Sequence, residues 1–447
     1  MEEKTFYQQL IFIAIPVALQ NLIVSLLNTL DTMMISSIGD AAIAGVGLAN
    51  QVFFFFIMIC FGITTGSSVL VSQFWGKRDR PSVQKVHGIA MVISVTVAVI
   101  FTLLALLFPQ QILARMISDQ SVVTAGAAYL RVASLSYIVT SLSYVYASTL
   151  RSTGNPRTPL VASILSFFAN AFFNYVFIFG FFGIPAFGVV GAAMGTIIAR
   201  VIELATILFV VRTYDGPLHC KLKEMMSFDK LFLQRFLTTA LPVIINETFW
   251  SAGQVMYSIA YAIIGREATA AVQVCVAIQN IAFVIVRGLG NACTIMVGNK
   301  IGQGQIEEVK SYASRFLKLG LGSGVVIALI MGLTPQWSLR LFGSLSTTVQ
   351  GLAVTLLQVM AVIFVIKTLT SIIVVGILRG GGDTRFSMFL EMGTSWLIGV
   401  PLAFIGAALL KRPVYGVIAL VGIEEVVKVL IGLLRVRTGK WVHNVTD

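Results

Sequence analysis

Apolar residues run in long stretches through this chain, and polar residues gather in short clusters between them. Breaking the sequence at charged and Gly/Pro-rich punctuation gives twelve apolar segments: 9–37, 41–75, 84–108, 122–150, 158–180, 188–211, 237–264, 268–299, 312–333, 347–377, 386–409 and 414–436. Each is long enough for the roughly 20 residues that a helix needs to cross a bilayer, and the longest must tilt, bend or project. Hydrocarbon offers the backbone no hydrogen-bond partners, so such segments are helical. The pattern predicts an all-α polytopic membrane protein of about twelve spans. The first segment has no cleavage-site pattern and reads as a spanning helix, not a signal peptide.

The segments repeat. IPVALQNLIVSLLNTLDTMMISSIG, ending at Gly39, aligns with LPVIINETFWSAGQVMYSIAYAIIG, ending at Gly265; Pro16 and Pro242 are 226 residues apart, as are Gly39 and Gly265. VSQFWGK at Val71–Lys77 matches VGNKIGQ at Val297–Gln303 at the same offset. LRSTGNPR from Leu150 matches LRGGGDTR from Leu378, and GVVGAA from Gly188 faces GVIALV from Gly416, both 228 apart. A near-constant offset predicts two homologous six-helix lobes, 1–211 and 236–436, and an even helix number makes the repeats parallel. Residues 212–235 form the longest polar interruption, a cytoplasmic linker with the Lys/Met/Leu mix of an amphipathic surface segment. Residues 437–447 are a cytoplasmic tail.

Composition agrees with the pattern. The chain of 447 residues is 57% hydrophobic and 11% charged, against about 25% charged in soluble proteins. Its net charge of +12 is not a nucleic-acid signal, because the basic residues fall in short loops. Lys77, Arg78, Arg80 and Lys85, then Arg151 and Arg157, Lys221 to Arg235, Lys300 and Lys310, and Arg379 and Arg385 mark one set of loops. By the positive-inside rule that set, and with it both termini, is cytoplasmic. The four cysteines show no CxxC spacing, so neither a disulfide framework nor a metal site is suggested.

One residue stands against its surroundings. In NTLDTMMIS, Asn28–Ser36, the carboxylate of Asp31 lies among leucine, isoleucine and methionine. An ionised carboxylate costs about 2.5–3.5 kcal/mol at the centre of a membrane helix on insertion scales. It persists where it faces a cavity, pairs, snorkels to the interface or takes up a cation. Ionisable residues also fall within later apolar segments, among them Glu247, Arg287, Lys367 and Glu391. Their burial implies mutual pairing, and Lys367 is expected to reach Glu247 or Glu391. Tyr257 occupies the position of a second Asp31 in the repeat, so that carboxylate is not duplicated.

LDTMMISSIGDAAIAGVGLA, LRSTGNPRTPL, ANAFFNYVFIFGFFGIPAFGVVGAAMGTIIAR and LRGGGDTRF, in this order and with the duplication, resemble the multidrug and toxic-compound extrusion (MATE) family of secondary transporters, of the NorM-like or DinF-like bacterial type. The resemblance covers nearly the whole chain. It implies two six-helix lobes around a central cavity and export driven by a sodium or proton gradient. It also implies that the positions of Asp31, Asn170, Asn174 and Thr196, with the carbonyl of Ala192, form a cation pocket. The residues agree with this: Asn170 and Asn174 share a helix face, as do Ala192 and Thr196, and a hard cation such as Na+ takes oxygen ligands. Interhelical hydrogen bonding is the alternative role for the same side chains. Some relatives have Asp at the position of Asn174. The amide here leaves one carboxylate, enough for a single Na+ or a single H+. NorM-like members carry a carboxylate matched by Glu247 and often a second on the tenth span, where this chain has none and Thr368 sits nearby. A structural salt-bridge cluster and a gating or proton-relay network both fit the second lobe.

Pro16 and Pro242 are candidate hinges, each removing an N–H from a helix. GGGD at Gly380–Asp383 reads as a turn, since no GK[ST] follows it. The histidines His87, His219 and His443 lie near loops, and no HExxH or GxSxG is present, which argues against an enzyme. The expected function is a cation-coupled exporter of amphipathic, cationic organic compounds in the inner membrane, acting as a monomer among lipid, with Na+ or H+ as coupling ion and no cofactor. A flippase for lipid-linked or saccharide precursors is the nearest rival, favoured by a large basic cavity.

Overall fold

The computed structural model describes residues 2–340 and 346–446. Residues 1, 341–345 and 447, which include the outer ends of the expected first lobe and tail, lie outside that description. Sixteen helices follow one another, with no strand among the described residues. They are α1 (Glu2–Ser36), α2 (Asp40–Gly76), α3 (Arg80–Leu107), α4 (Pro109–Ala114), α5 (Gln120–Ala133), α6 (Ser136–Ser152), α7 (Arg157–Phe179) and α8 (Val189–Thr213). After the short α9 (Leu222–Met225) come α10 (Lys230–Ile264), α11 (Arg266–Gly302), α12 (Ile306–Leu333) and α13 (Pro335–Leu339). The last three are α14 (Thr347–Arg379), α15 (Thr384–Leu409) and α16 (Val414–Arg437).

Among the described residues, nine helices are long and apolar enough to cross a membrane. The pair α5 and α6, bent by 52°, forms a tenth. The break has a local cause. Ser134 and Ser136 turn their hydroxyls onto the carbonyls of Arg131 (3.0 Å) and Ala133 (2.7 Å), and Thr102 donates to the carbonyl of Ser134 at 2.9 Å. Side-chain bonds of this kind compete with the helical ladder. Two further helices, α10 and α16, are as long but more polar; α16 has Glu424, Glu425 and Lys428 along its middle. The described residues thus form an all-α membrane protein with nine or ten candidate spans and two further long helices, with helix ends within seven residues of the apolar segments.

By packing, the chain forms two compact units. One comprises residues 19–71 and 79–238. Here α7 lies along α8 and α3 along α6. The linker is part of this unit's fold: Leu218 and Met225 are buried, Gln84 donates to the carbonyl of Pro217 at 2.9 Å, and Gly88 leaves space for the backbone of Met225. The other unit comprises residues 1–18, 72–78 and 239–447. Phe6, Leu10, Ile13 and Val17 of α1 pack in its core with Phe316 and Ile373, and the tail is docked by buried Trp441 and by Gln73, whose amide donates to the carbonyl of His443 at 3.1 Å. Both α1 and α10 contribute residues to each unit, and their prolines, Pro16 and Pro242, lie within a few residues of the change-over.

The repeat extends to the backbone. Gly39 and Gly265 have φ of 136° and 139°, Gly154 and Gly382 have 87° and 86°, and Arg78 and Gly304 have 62° and 75°. Positive φ favours glycine, so equal turns at equal offsets show one local design used twice. The C-terminal ends of α2 and α11 cross at equivalent residues. A Cβ on Gly76 would fall 2.1 Å from the carbonyl oxygen of Asn299, one on Gly302 1.9 Å from that of Gln73, and one on Gly298 2.0 Å from Ser72 Oγ. Each pair exchanges partners 226 residues apart, the self-complementary contact that a twofold relation produces.

This crossing leaves no space for a methyl group. Gly302→Ala is expected to destabilise the protein by about 1–3 kcal/mol, as overpacked sites do. Gly253→Ala, where nothing lies within 4 Å, is the control and should be neutral or stabilising by up to about 1 kcal/mol. Thermal unfolding in detergent compares them; equal melting points would contradict the close crossing.

Candidate ion-binding site

Asp31 lies on the C-terminal half of α1, half-buried, and α7 and α8 supply its neighbours. Asn174 Nδ2 donates to Asp31 Oδ1 at 2.6 Å and to Asn170 Oδ1 at 3.1 Å. Asn170 Nδ2 faces Thr196 Oγ1 at 3.4 Å, and that hydroxyl donates to the carbonyl of Ala192 at 3.0 Å. The structure therefore brings together all five residues, Asp31, Asn170, Asn174, Ala192 and Thr196. The side-chain donors of Asn170, Asn174 and Thr196 are each committed to an acceptor oxygen within this set. Asn174 Oδ1, fully buried, is left as an acceptor with no hydrogen-bond donor among the described residues. It points at Gly195, where a Cβ would lie 2.1 Å away, so glycine is what allows the amide its position. An acceptor without a donor beside a carboxylate suits a hard cation or a proton.

Two nearby groups escaped sequence reasoning. Tyr129 of α5 is buried and interacts with Thr196 and Asp31. Arg200, one turn beyond Thr196, is close enough to act on the charge of Asp31, but its guanidinium is held by Glu203 at 2.8 Å. Glu203 also accepts from Ser163 at 3.0 Å, and Gln20 links Ser163 (3.2 Å) to Arg151 (3.0 Å). The available signal was a pair of opposite charges three residues apart inside the sixth apolar segment.

The C-terminal charges are arranged differently from expectation. Lys367 does not take up Glu247 or Glu391; its ammonium lies over the ring of Phe283, 5.9 Å from the centroid. Both carboxylates belong to Arg379, which donates to Glu247 at 2.6 Å and Glu391 at 3.0 Å. Asn246 adds a bond to Glu391 at 2.5 Å. A forked guanidinium can serve two carboxylates at once, which a lysine point charge does less well. The end of α14, Ile372–Arg379, is wound as a π-helix and buries Arg379 at 1% exposure, where the sequence had suggested a cytoplasmic loop. Arg287 is exposed on α11, within electrostatic range of Glu247. A second cluster lies on α16: Glu424 is paired with Lys428 and accepts from Tyr257 and Ser395.

The MatE family model matches residues 16–176 and 242–405, two stretches whose starts, Pro16 and Pro242, are again 226 apart. The chain is 26% identical to the probable multidrug resistance protein NorM of Thermotoga maritima, over 97% of this chain and 93% of that protein. It is 25% identical to the uncharacterized transporter YisQ of Bacillus subtilis, over 90% and 88%. Among solved structures, a MATE transporter in the bent conformation superposes with a TM-score of 0.88 at 21% identity, over 97% of this chain and 96% of that one. A MOP superfamily transporter from Pyrococcus furiosus, in which reverse polarity of the binding pocket suggests a different function, gives 0.87 at 21% identity, over 97% and 96%. The protein is a multi-pass membrane transporter with two six-helix lobes, not an enzyme. It belongs to the MatE family.

The paired carboxylates make a stability test. Arg379→Met leaves Glu247 and Glu391 without a counter-charge and should cost about 3–5 kcal/mol, while replacing all three by neutral residues (Arg379→Met, Glu247→Gln, Glu391→Gln) should recover most of it. Lys367→Met should have a much smaller effect. Melting temperature and yield of purified protein give the comparison, and a triple variant no better than Arg379→Met would contradict the pairing.

Proposed function

We propose that this protein is a cation-coupled antiporter of the cytoplasmic membrane that exports amphipathic, cationic organic compounds by alternating access, with Asp31 carrying the coupling ion. It works as a monomer with both termini in the cytoplasm, as the loop charges favour. The observation that supports the coupling role is the state of Asp31: among the described residues its contact partner is an amide, not a cation, although it sits in an apolar span. The names of relatives such as the NorM protein of Thermotoga maritima support drug-like substrates. An oxygen-rich neighbourhood favours Na+, and a single carboxylate equally accommodates one H+.

The two ions differ in consequence. A sodium-coupled carboxylate is satisfied by the metal, so efflux continues at high pH while sodium is present. A proton-coupled one stops working once Asp31 stays ionised on both sides of the membrane. In either case a ligand drives the change of state only through its different affinities for the two states. Asp31→Asn keeps the shape and removes the charge. In proteoliposomes given a sodium gradient alone, then a proton gradient alone, this variant should lose gradient-driven efflux under the condition that drives the wild type, while still binding substrate. Wild-type efflux from the variant would remove Asp31 from the mechanism.

A further inference from the structure

The offset of 228 that aligns Gly188 with Gly416 also places Glu424 at the position of Thr196, Lys428 at that of Arg200 and Ile431 at that of Glu203. The earlier offset of 226 sets Tyr257 at the position of Asp31. The structure shows that these counterparts meet within the second unit. The Tyr257 hydroxyl donates to Glu424 Oε2, and Lys428 Nζ is ion-paired with Oε1 of the same carboxylate. Ser395 Oγ donates to Glu424 Oε1 at 2.5 Å and lies 3.4 Å from Lys428 Nζ. Glu425 stands 3.7 Å from Lys428. Ser395 opens a π-helical turn, Ser395–Gly399, and such turns often mark functional positions. Gly399 closes the site: a Cβ there would fall 2.1 Å from both Glu424 Oε2 and the Tyr257 hydroxyl. Tyr257, Ser395, Glu424 and Lys428 are buried, the last two at 3% and 2% exposure, and Glu425 is half-buried.

We propose that this cluster is the C-terminal lobe's counterpart of the Asp31 site, with the Lys428 ammonium fixed in it as a built-in cation. The carboxylate has moved from the lobe's first helix to its last, and the cation is tethered to the chain one turn away. A further difference in register, Glu203 against Ile431, accompanies this change. In the first lobe, Glu203 takes the guanidinium of Arg200 and leaves Asp31 without an ion pair. In the second, isoleucine stands at that place, and the basic side chain turns back to the carboxylate at i−4. The chemical class that the site accepts is a small monovalent cation, and the protein supplies it. The comparison rests on the reading of Asp31 as a cation site; the contacts around Glu424 do not.

If the ammonium stands in for a cation, its removal should open the site to one from solution. In Asp31→Asn, which removes the first lobe's carboxylate, the melting temperature at alkaline pH should be the same in sodium chloride and in choline chloride. In Asp31→Asn/Lys428→Met it should rise with sodium but not with choline, and adding Glu424→Gln should abolish the rise. Indifference of Asp31→Asn/Lys428→Met to sodium overturns the proposal. So does a protein that fails to fold in either salt while its Glu424→Gln version folds, since sodium would then not serve the exposed carboxylate. A sodium-dependent rise in Asp31→Asn that Glu424→Gln removes also overturns it, because Lys428 would not be filling the site. Wild-type protein measured against Asp31→Asn reports separately on sodium at Asp31, so the two readings can fail independently.

Discussion

A charge taken into hydrocarbon must be matched by another charge, by dipoles, or by an ion. Three basic residues within the apolar spans meet that demand by direct contact: Arg200 with Glu203, Arg379 with Glu247 and Glu391, and Lys428 with Glu424. Pairs of this type seldom add much net stability, because desolvation offsets attraction, but removing one partner is costly. The Arg379 pairs join three different helices and so help fix which faces meet, whereas Arg200–Glu203 and Glu424–Lys428 are each internal to one helix. Asp31 meets the demand with dipoles alone at contact distance, from Asn174 and, through it, Asn170. It is the carboxylate whose charge the surrounding protein compensates least directly, and hence the one an external cation would change most.

Duplication gave both halves matching turns and left the side chains free to differ. Matching φ at Gly39 and Gly265 or at Gly154 and Gly382 and the reciprocal crossing at Gly76 and Gly302 concern steric constraints, which tolerate few residue types. The polar positions follow the same frame with altered chemistry. Arg151 and Arg379 are equivalent, 228 apart, as are Gln20 and Asn246 at 226 and Ser163 and Glu391 at 228. In the first half Gln20 joins Arg151 to a serine; in the second Asn246 joins a carboxylate that Arg379 also binds. Greater charge at the second position is tolerated because Arg379 is shared between two carboxylates.

The spans were legible because length and hydropathy alone define a membrane helix, and ends such as Gly39, Gly180 and Gly265 punctuate the pattern. The contact set around Asp31 was legible through i, i+4 spacing on α7 and α8. What was not legible depended on winding and on long-range partners. Arg379 sits beside the Gly380–Asp383 turn and so read as a loop charge, whereas the π-helical end of α14 turns it inward. Lys367 looked in need of a carboxylate, and Phe283 supplied an aromatic face instead. Glu424 and Lys428 leave no mark at the counterpart of Asp31, which is Tyr257; the 228 offset along the last helix sets Glu424 opposite Thr196. The bend between α5 and α6 needed the hydrogen bond from Thr102, a residue on another helix.

Under the proposed coupling, the two lobes divide the work through substitutions in register: Tyr257 against Asp31, Glu424 against Thr196 and Ile431 against Glu203. A carboxylate whose counter-charge is tethered keeps the same net charge through every conformation, so it contributes the same to each and cannot bias their populations. Asp31 has no such tether, so its charge differs between the ion-bound and ion-free protein, and only a difference of that kind can shift an equilibrium between states. The shift would act on α1, a helix that begins in one compact unit, passes Pro16 and ends in the other. A second untethered carboxylate at the Glu424 position would make a second ion a condition of the same change. Fixing Lys428 there leaves one external cation to carry the coupling, which accounts for why one lobe retains a half-buried, unpaired aspartate and the other a closed ion pair.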